Sequence, residues 1–111
     1  MIQQNSPIDD MLHWQAQSGT LSVRISGEID HHRAAALRQT IDDAICRHRP
    51  ATLCLDFSGI VFMDSSGLGL VMGRRALLSR LGGELVVLHP APAALRMLRL
   101  AGMERIVRIE L

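Results

Sequence analysis

The stretch FMDSSGLGL, residues 62 to 70, sets an acid and two hydroxyls against glycine and leucine. Such a composition can cradle a phosphate, carry a nucleophile or receive a phosphate. Ser65 and Ser66 stand where a helix is expected to begin, and the unpaired N–H groups and dipole of a helix N-terminus favour negative charge. An N-cap accounts for one serine. It leaves Gly67, Gly69 and Gly73 unexplained, because an interior helix glycine costs about 0.5–1 kcal/mol relative to alanine. Either close packing of the helix on a sheet or a backbone surface that a partner approaches has to offset that cost. Spacing alone leaves both open.

The neighbouring chemistries fail one by one. Gly67, Gly69 and Gly73 spell G-x-G-x-x-x-G, one residue off the dinucleotide fingerprint, and the acid expected at the end of the next strand, Glu84, begins it. Every basic residue is arginine and the chain has no lysine. That removes the P-loop, Schiff-base chemistry and a lysine general base, and it argues against a receiver domain using Asp56 or Asp64. A serine hydrolase wants G-x-S-x-G, whereas this segment reads D-S-S-G. His13, His31, His32, His48 and His89 are scattered, with no base-plus-orienter pattern around Ser65. The pair His31-His32 has no third ligand at metal spacing. The expectation is therefore a protein that is not an enzyme and holds neither cofactor nor metal. Arg74, Arg75 and Arg80 read as a solvated helix face. Met63 and Met72 read as packing, with a partner surface as the functional rival.

Length and composition bound the rest. A chain of 111 residues fits one domain, with residues 1–10 expected to be loosely ordered, and a hydrophobic content of 48% belongs to a globular protein. A net charge of +1 supplies no field to draw in nucleic acid or an anionic membrane. Cys46 and Cys54 fall in apolar periodic segments and read as buried free thiols in a reducing compartment. The N-terminus lacks a basic region followed by an apolar one, so a cytoplasmic location is expected.

The elements that position these residues follow from periodicity. LHWQAQ and TLSVRISGEI flank Ser18-Gly19 as a hairpin, with Leu21, Val23 and Ile25 on one side of the second strand. Asp30 caps a helix that buries Ala34, Leu37, Ile41, Ala44 and Ile45, turns Arg38 and Asp42 outward, and ends at Pro50. TLCLDF is the next strand, residues 58–64 a loop, and a second helix runs from about Ser66 to Leu81. ELVVLH reads as a strand covered on both faces. Pro90 and Pro92 open a third helix, with Ala94, Leu95, Leu98 and Ala101 facing inward and Gly102 as its C-cap, and RIVRI closes the sheet. The fold class is α/β: a mixed, mainly parallel sheet with an N-terminal antiparallel hairpin strand, helices alternating with strands.

Three segments then carry a likeness: GEIDHH at 27–32, FMDSSGLGLVMGR at 62–74 and LGGELVV at 81–87. In order and spacing they resemble the STAS-domain anti-sigma factor antagonists, including the sporulation branch, from about Leu21 to Ile109. The resemblance implies a STAS fold and a partner switch. The unphosphorylated antagonist would bind an anti-sigma factor that is also a GHKL-type serine kinase, releasing the sigma factor. The kinase would phosphorylate Ser65, and a PP2C-type phosphatase would restore it. Asp64, Ser66, Gly67, Leu68 and Gly69 would then belong to the docking surface, joined by Glu28, Asp30 and His31 from the end of the second strand. A STAS module that senses a ligand or nucleotide, or acts as a scaffold, is the alternative. Relatives often carry another helix after the last strand, so part of this sheet is expected to be exposed or covered by another copy.

Overall fold

The computed structural model describes residue 8 and residues 10–111. Most of the segment expected to be loosely ordered, residues 1–10, lies outside the described residues. Strands β1 (Leu12–Gln17) and β2 (Thr20–Ile29) form the hairpin. Ser18 and Gly19 both have positive φ, 53° and 79°, as a two-residue turn needs to match the strands' right-handed twist. Helix α1 (His31–His48), strand β3 (Thr52–Met63), helix α2 (Ser65–Arg80), strand β4 (Glu84–Leu88), helix α3 (Pro92–Leu100), a 3-10 turn at Met103–Arg105 and strand β5 (Arg108–Glu110) follow.

The sheet order is β1-β2-β3-β4-β5, with the first pair antiparallel and the rest parallel. Three right-handed crossovers that all step in the same direction put all three helices on the same side of the sheet. The thin dimension of the molecule, 19 Å, is that of one helical layer on one sheet. On the helical side, Leu21, Leu53 and Leu85 form one row and Val23, Leu55 and Val87 the next, in one core with Leu37, Ile41, Ile45, Val71, Leu78, Ala94 and Leu98. Each such valine, leucine or isoleucine side chain, once fully buried, contributes about 1.5–3 kcal/mol before chain entropy is counted. Trp14, on the same side of edge strand β1, packs its ring at 5.3 Å from His48 and ties the hairpin to the end of α1.

The other side carries His13, Gln15, Ser22, Arg24, Cys54 and Asp56 in register. Strand β4 was expected to be covered on both faces. Leu85, Val86 and Val87 are all buried, with Leu85 and Val87 in the core and Val86 outside it.

Several expectations need correction. Residues 58–63 are strand, not loop, because β3 accommodates two bulges: Arg24 to Ser26 spans Asp56 to Gly59, and Gly27 to Glu28 spans Ile60 to Phe62. Each extra residue breaks the alternation that makes a strand legible. In α3 only Ala94 and Leu98 are buried. Leu95 is half-buried, and Ala101, the C-cap itself, is exposed, with Gly102 following in the left-handed region. The last strand is shorter than RIVRI, because the 3-10 turn draws Met103 and Val107 into the core. Cys46 is exposed and Cys54 half-buried; both are free thiols. Arg74 is buried, 6% exposed, and Asp42 reaches from α1 to lie 2.7 Å from its Nε. Arg74 does not face solvent as the helical pattern implied, and Asp42 is half-buried.

Candidate functional site

Parallel pairing of β2 and β3 brings two chain segments to the same edge of the sheet. Glu28 stands opposite Phe62 and Ile29 opposite Met63, and the Asp64 N–H donates to the Ile29 carbonyl at 3.1 Å. Each strand then delivers an aspartate as the N-cap of the next helix. Asp30 accepts from the Arg33 N–H at 2.8 Å, and Asp64 accepts from the Ser66 N–H at 2.8 Å. The residues singled out from sequence therefore meet in space: Glu28, Asp30 and His31 from one junction, Asp64, Ser65 and Ser66 from the other.

The two aspartates differ in their company. Arg33 Nη1 lies 2.7 Å from Asp30 Oδ2 and 4.0 Å from Glu28 Oε1, so a guanidinium closes the first junction. The Arg33 backbone N–H holds the Asp30 carboxyl below the ordinary carboxylate range; burial opposes this, and the Arg33 and His32 charges add to it. Asp64 has the cap bond to Ser66 as its side-chain hydrogen bond. Ser65, the first helical residue, is exposed, with its hydroxyl at the positive end of α2. Ser66 is half-buried and turns toward α1.

The glycines, equivalent by spacing, separate in the structure. Gly67 is buried, and a Cβ there would fall within 2.2 Å of Met63 Cγ, so its smallness seats α2 on the end of β3. Gly69 is exposed and a Cβ there would meet nothing within 4 Å. Packing explains the first glycine; it does not explain the second. Leu68 is half-buried against the core. Met63 is likewise packing, whereas Met72 is exposed.

Sequence reasoning passed over two residues. Val61 and Phe62, placed in an expected loop, lie on the bulged end of β3 at 69% and 48% exposure. They form an apolar step immediately before Asp64 and Ser65. Two apolar side chains in the segment assigned to a loop were the available signal.

Known proteins match this arrangement. The family model described as Mlab, STAS domain matches residues 12–108. The anti-sigma F factor antagonist of Paenibacillus polymyxa is 41% identical over 91 residues, covering 82% of this chain and 78% of the relative. That of Lysinibacillus sphaericus is 36% identical over 84 residues, covering 76% and 72%. Among solved structures, the anti-sigma factor antagonist SpoIIAA in its unphosphorylated form superposes with a TM-score of 0.77 at 30% identity, covering 88% of this chain and 86% of that one. Its phosphorylated form, from Bacillus, superposes at 0.70, also at 30% identity, covering 88% and 89%. The chain therefore belongs to the STAS-domain family, among its anti-sigma factor antagonists.

Proposed function

We propose that the protein is the phosphorylatable member of a cytoplasmic partner switch. Unmodified, it binds an anti-sigma factor that is a GHKL-type serine kinase, and so releases a sigma factor; phosphorylation on Ser65 ends the binding, and a PP2C-type phosphatase restores it. The observation that carries this reading is the placement of Ser65: an exposed hydroxyl at the first position of a capped helix, next to an exposed apolar step. The docking surface comprises Glu28, Asp30, His31, Asp64, Ser65, Ser66 and Gly69, to which Val61 and Phe62 add apolar area. Gly67 and Leu68 act from beneath, holding α2 in place.

The electrostatics account for a reversible switch. A phosphate adds about −1.5 to −2 charges at neutral pH. On Ser65 it sits at the end of α2 where the helix dipole favours negative charge, so the fold survives modification. In the complex the same charge meets Asp64 and Glu28 and has to be desolvated, so affinity falls. The switch is a surface event.

The test is intact mass and site mapping after incubation with the partner kinase and ATP. Wild type gains one phosphate, Ser66→Ala gains one, and Ser65→Ala gains none. A phosphate retained by Ser65→Ala would move the acceptor elsewhere.

A further inference from the structure

A notch of about 280 Å³ opens between the N-terminal halves of α1 and α2. Both helices follow parallel strands, so they run the same way and present their positive ends at the same edge of the sheet. His31 and Arg38 line the notch from α1, and Ser66, Gly69 and Arg74 line it from α2. Among the described residues no carboxylate lines it; Asp42 stands behind Arg74.

Arg74 is the unusual member. Its side chain is more than nine-tenths buried, yet its guanidinium is incompletely satisfied. The Asp42 carboxylate lies 2.7 Å from Nε without hydrogen-bond alignment, and the buried Nη1 has no acceptor among the described residues. A buried charged donor left unpaired is costly, and such a group in a native protein calls for a missing partner. Burial holds the guanidinium below its ordinary range; Asp42 counteracts this, and the positive charge of Arg38 adds to the lowering. A negative group between the two arginines would relieve both. Gly69 points the same way: it spends helix stability without a packing reason and leaves the wall of the notch bare.

We infer that the notch between α1 and α2 is a binding site for a phosphate-type oxyanion, held by Arg38 and Arg74 with the Ser66 hydroxyl as a further donor. Arginine suits the task, since its planar fork grips phosphate oxygens two at a time. The volume admits a phosphate and part of whatever carries it, so free phosphate and the phosphate of a nucleotide are the two sources of this chemistry. Ser65 does not line the notch. The site is therefore separate from the phosphoacceptor, although His31, Ser66 and Gly69 also belong to the proposed docking surface.

The experiment is a backbone amide NMR titration of the full chain with inorganic phosphate and, separately, with ADP, each against chloride at matched ionic strength. Saturable shifts clustered at His31, Arg38, Ser66, Gly69 and Arg74 are expected from at least one of the two. Shifts from both mark the phosphoryl group itself as the ligand, and shifts from ADP alone mark a nucleotide as the source. Saturation by neither would overturn the inference. Arg38→Gln is expected to weaken binding at least tenfold. Gly69→Glu, at a position with open space around it, is expected to abolish binding while the amide spectrum stays folded. Undiminished affinity in either variant would overturn the site, even if Arg74→Gln fails to fold. Ser65→Ala is expected to bind as wild type does, so failure here and failure of the phosphorylation switch are separately visible.

Discussion

The two strand-to-helix junctions of this molecule share one backbone device and use it differently. At both, a parallel strand ends in a buried apolar residue, Ile29 or Met63, and an aspartate caps the helix. Three residues past the cap the junctions diverge. The first has Arg33, which folds back on Asp30 and closes the carboxylate in an ion pair. The second has Gly67, buried over Met63, which lowers α2 onto the sheet, and Asp64 makes no ion pair among the described residues. The first junction is self-satisfied. The second presents an exposed hydroxyl, Ser65, beside an apolar step. The same capping device thus gives one junction closed by its own cation and one left open toward solvent.

Replacing the small residue that sets the second junction apart should have the largest effect on the fold. Gly67→Ala puts a methyl into Met63 and is expected to cost about 1–3 kcal/mol, the usual penalty for overpacking, by urea denaturation. Unchanged stability would mean that Met63 swings aside and that Gly67 does not set the height of α2. Removing the second cap comes next. Asp64→Ala is expected to destabilise by about 1 kcal/mol through loss of the bond to the Ser66 N–H. Equal stability would show that water replaces that bond.

The smallest effect separates the two caps by pH. The folded-state pKa of Asp30 is depressed below its unfolded value, so its stabilisation is full above the ordinary carboxylate range and disappears as pH falls through the folded pKa. Stability curves of wild type and Asp30→Ala, apart at neutral pH, are expected to converge in acid. Parallel curves down to the lowest accessible pH would show that the carboxylate charge is not what Arg33 and its N–H hold.

Much of the second junction was legible before the fold was known, because helix caps, glycine and serine placement and turn chemistry are local. The D-S-S-G run marked the start of α2, and Ser18-Gly19 marked the hairpin. What was illegible came from interruptions of periodicity and from long-range partners. Two bulges in β3 disguised Val61 and Phe62 as loop residues. Arg74 read as solvated because a helical pattern shows which face a residue lies on but not that Asp42 of another helix waits there.

The order of elements, the capped helix starts and the D-S-S-G motif were thus determined by the sequence alone, through interactions spanning a few residues each. The placement of all helices on one side, the differing fates of Gly67 and Gly69 and the basic notch beside Ser66 were decided only by tertiary structure. Each depends on which strand pairs next and which distant side chain arrives, and neither composition nor spacing encodes that separately from the fold.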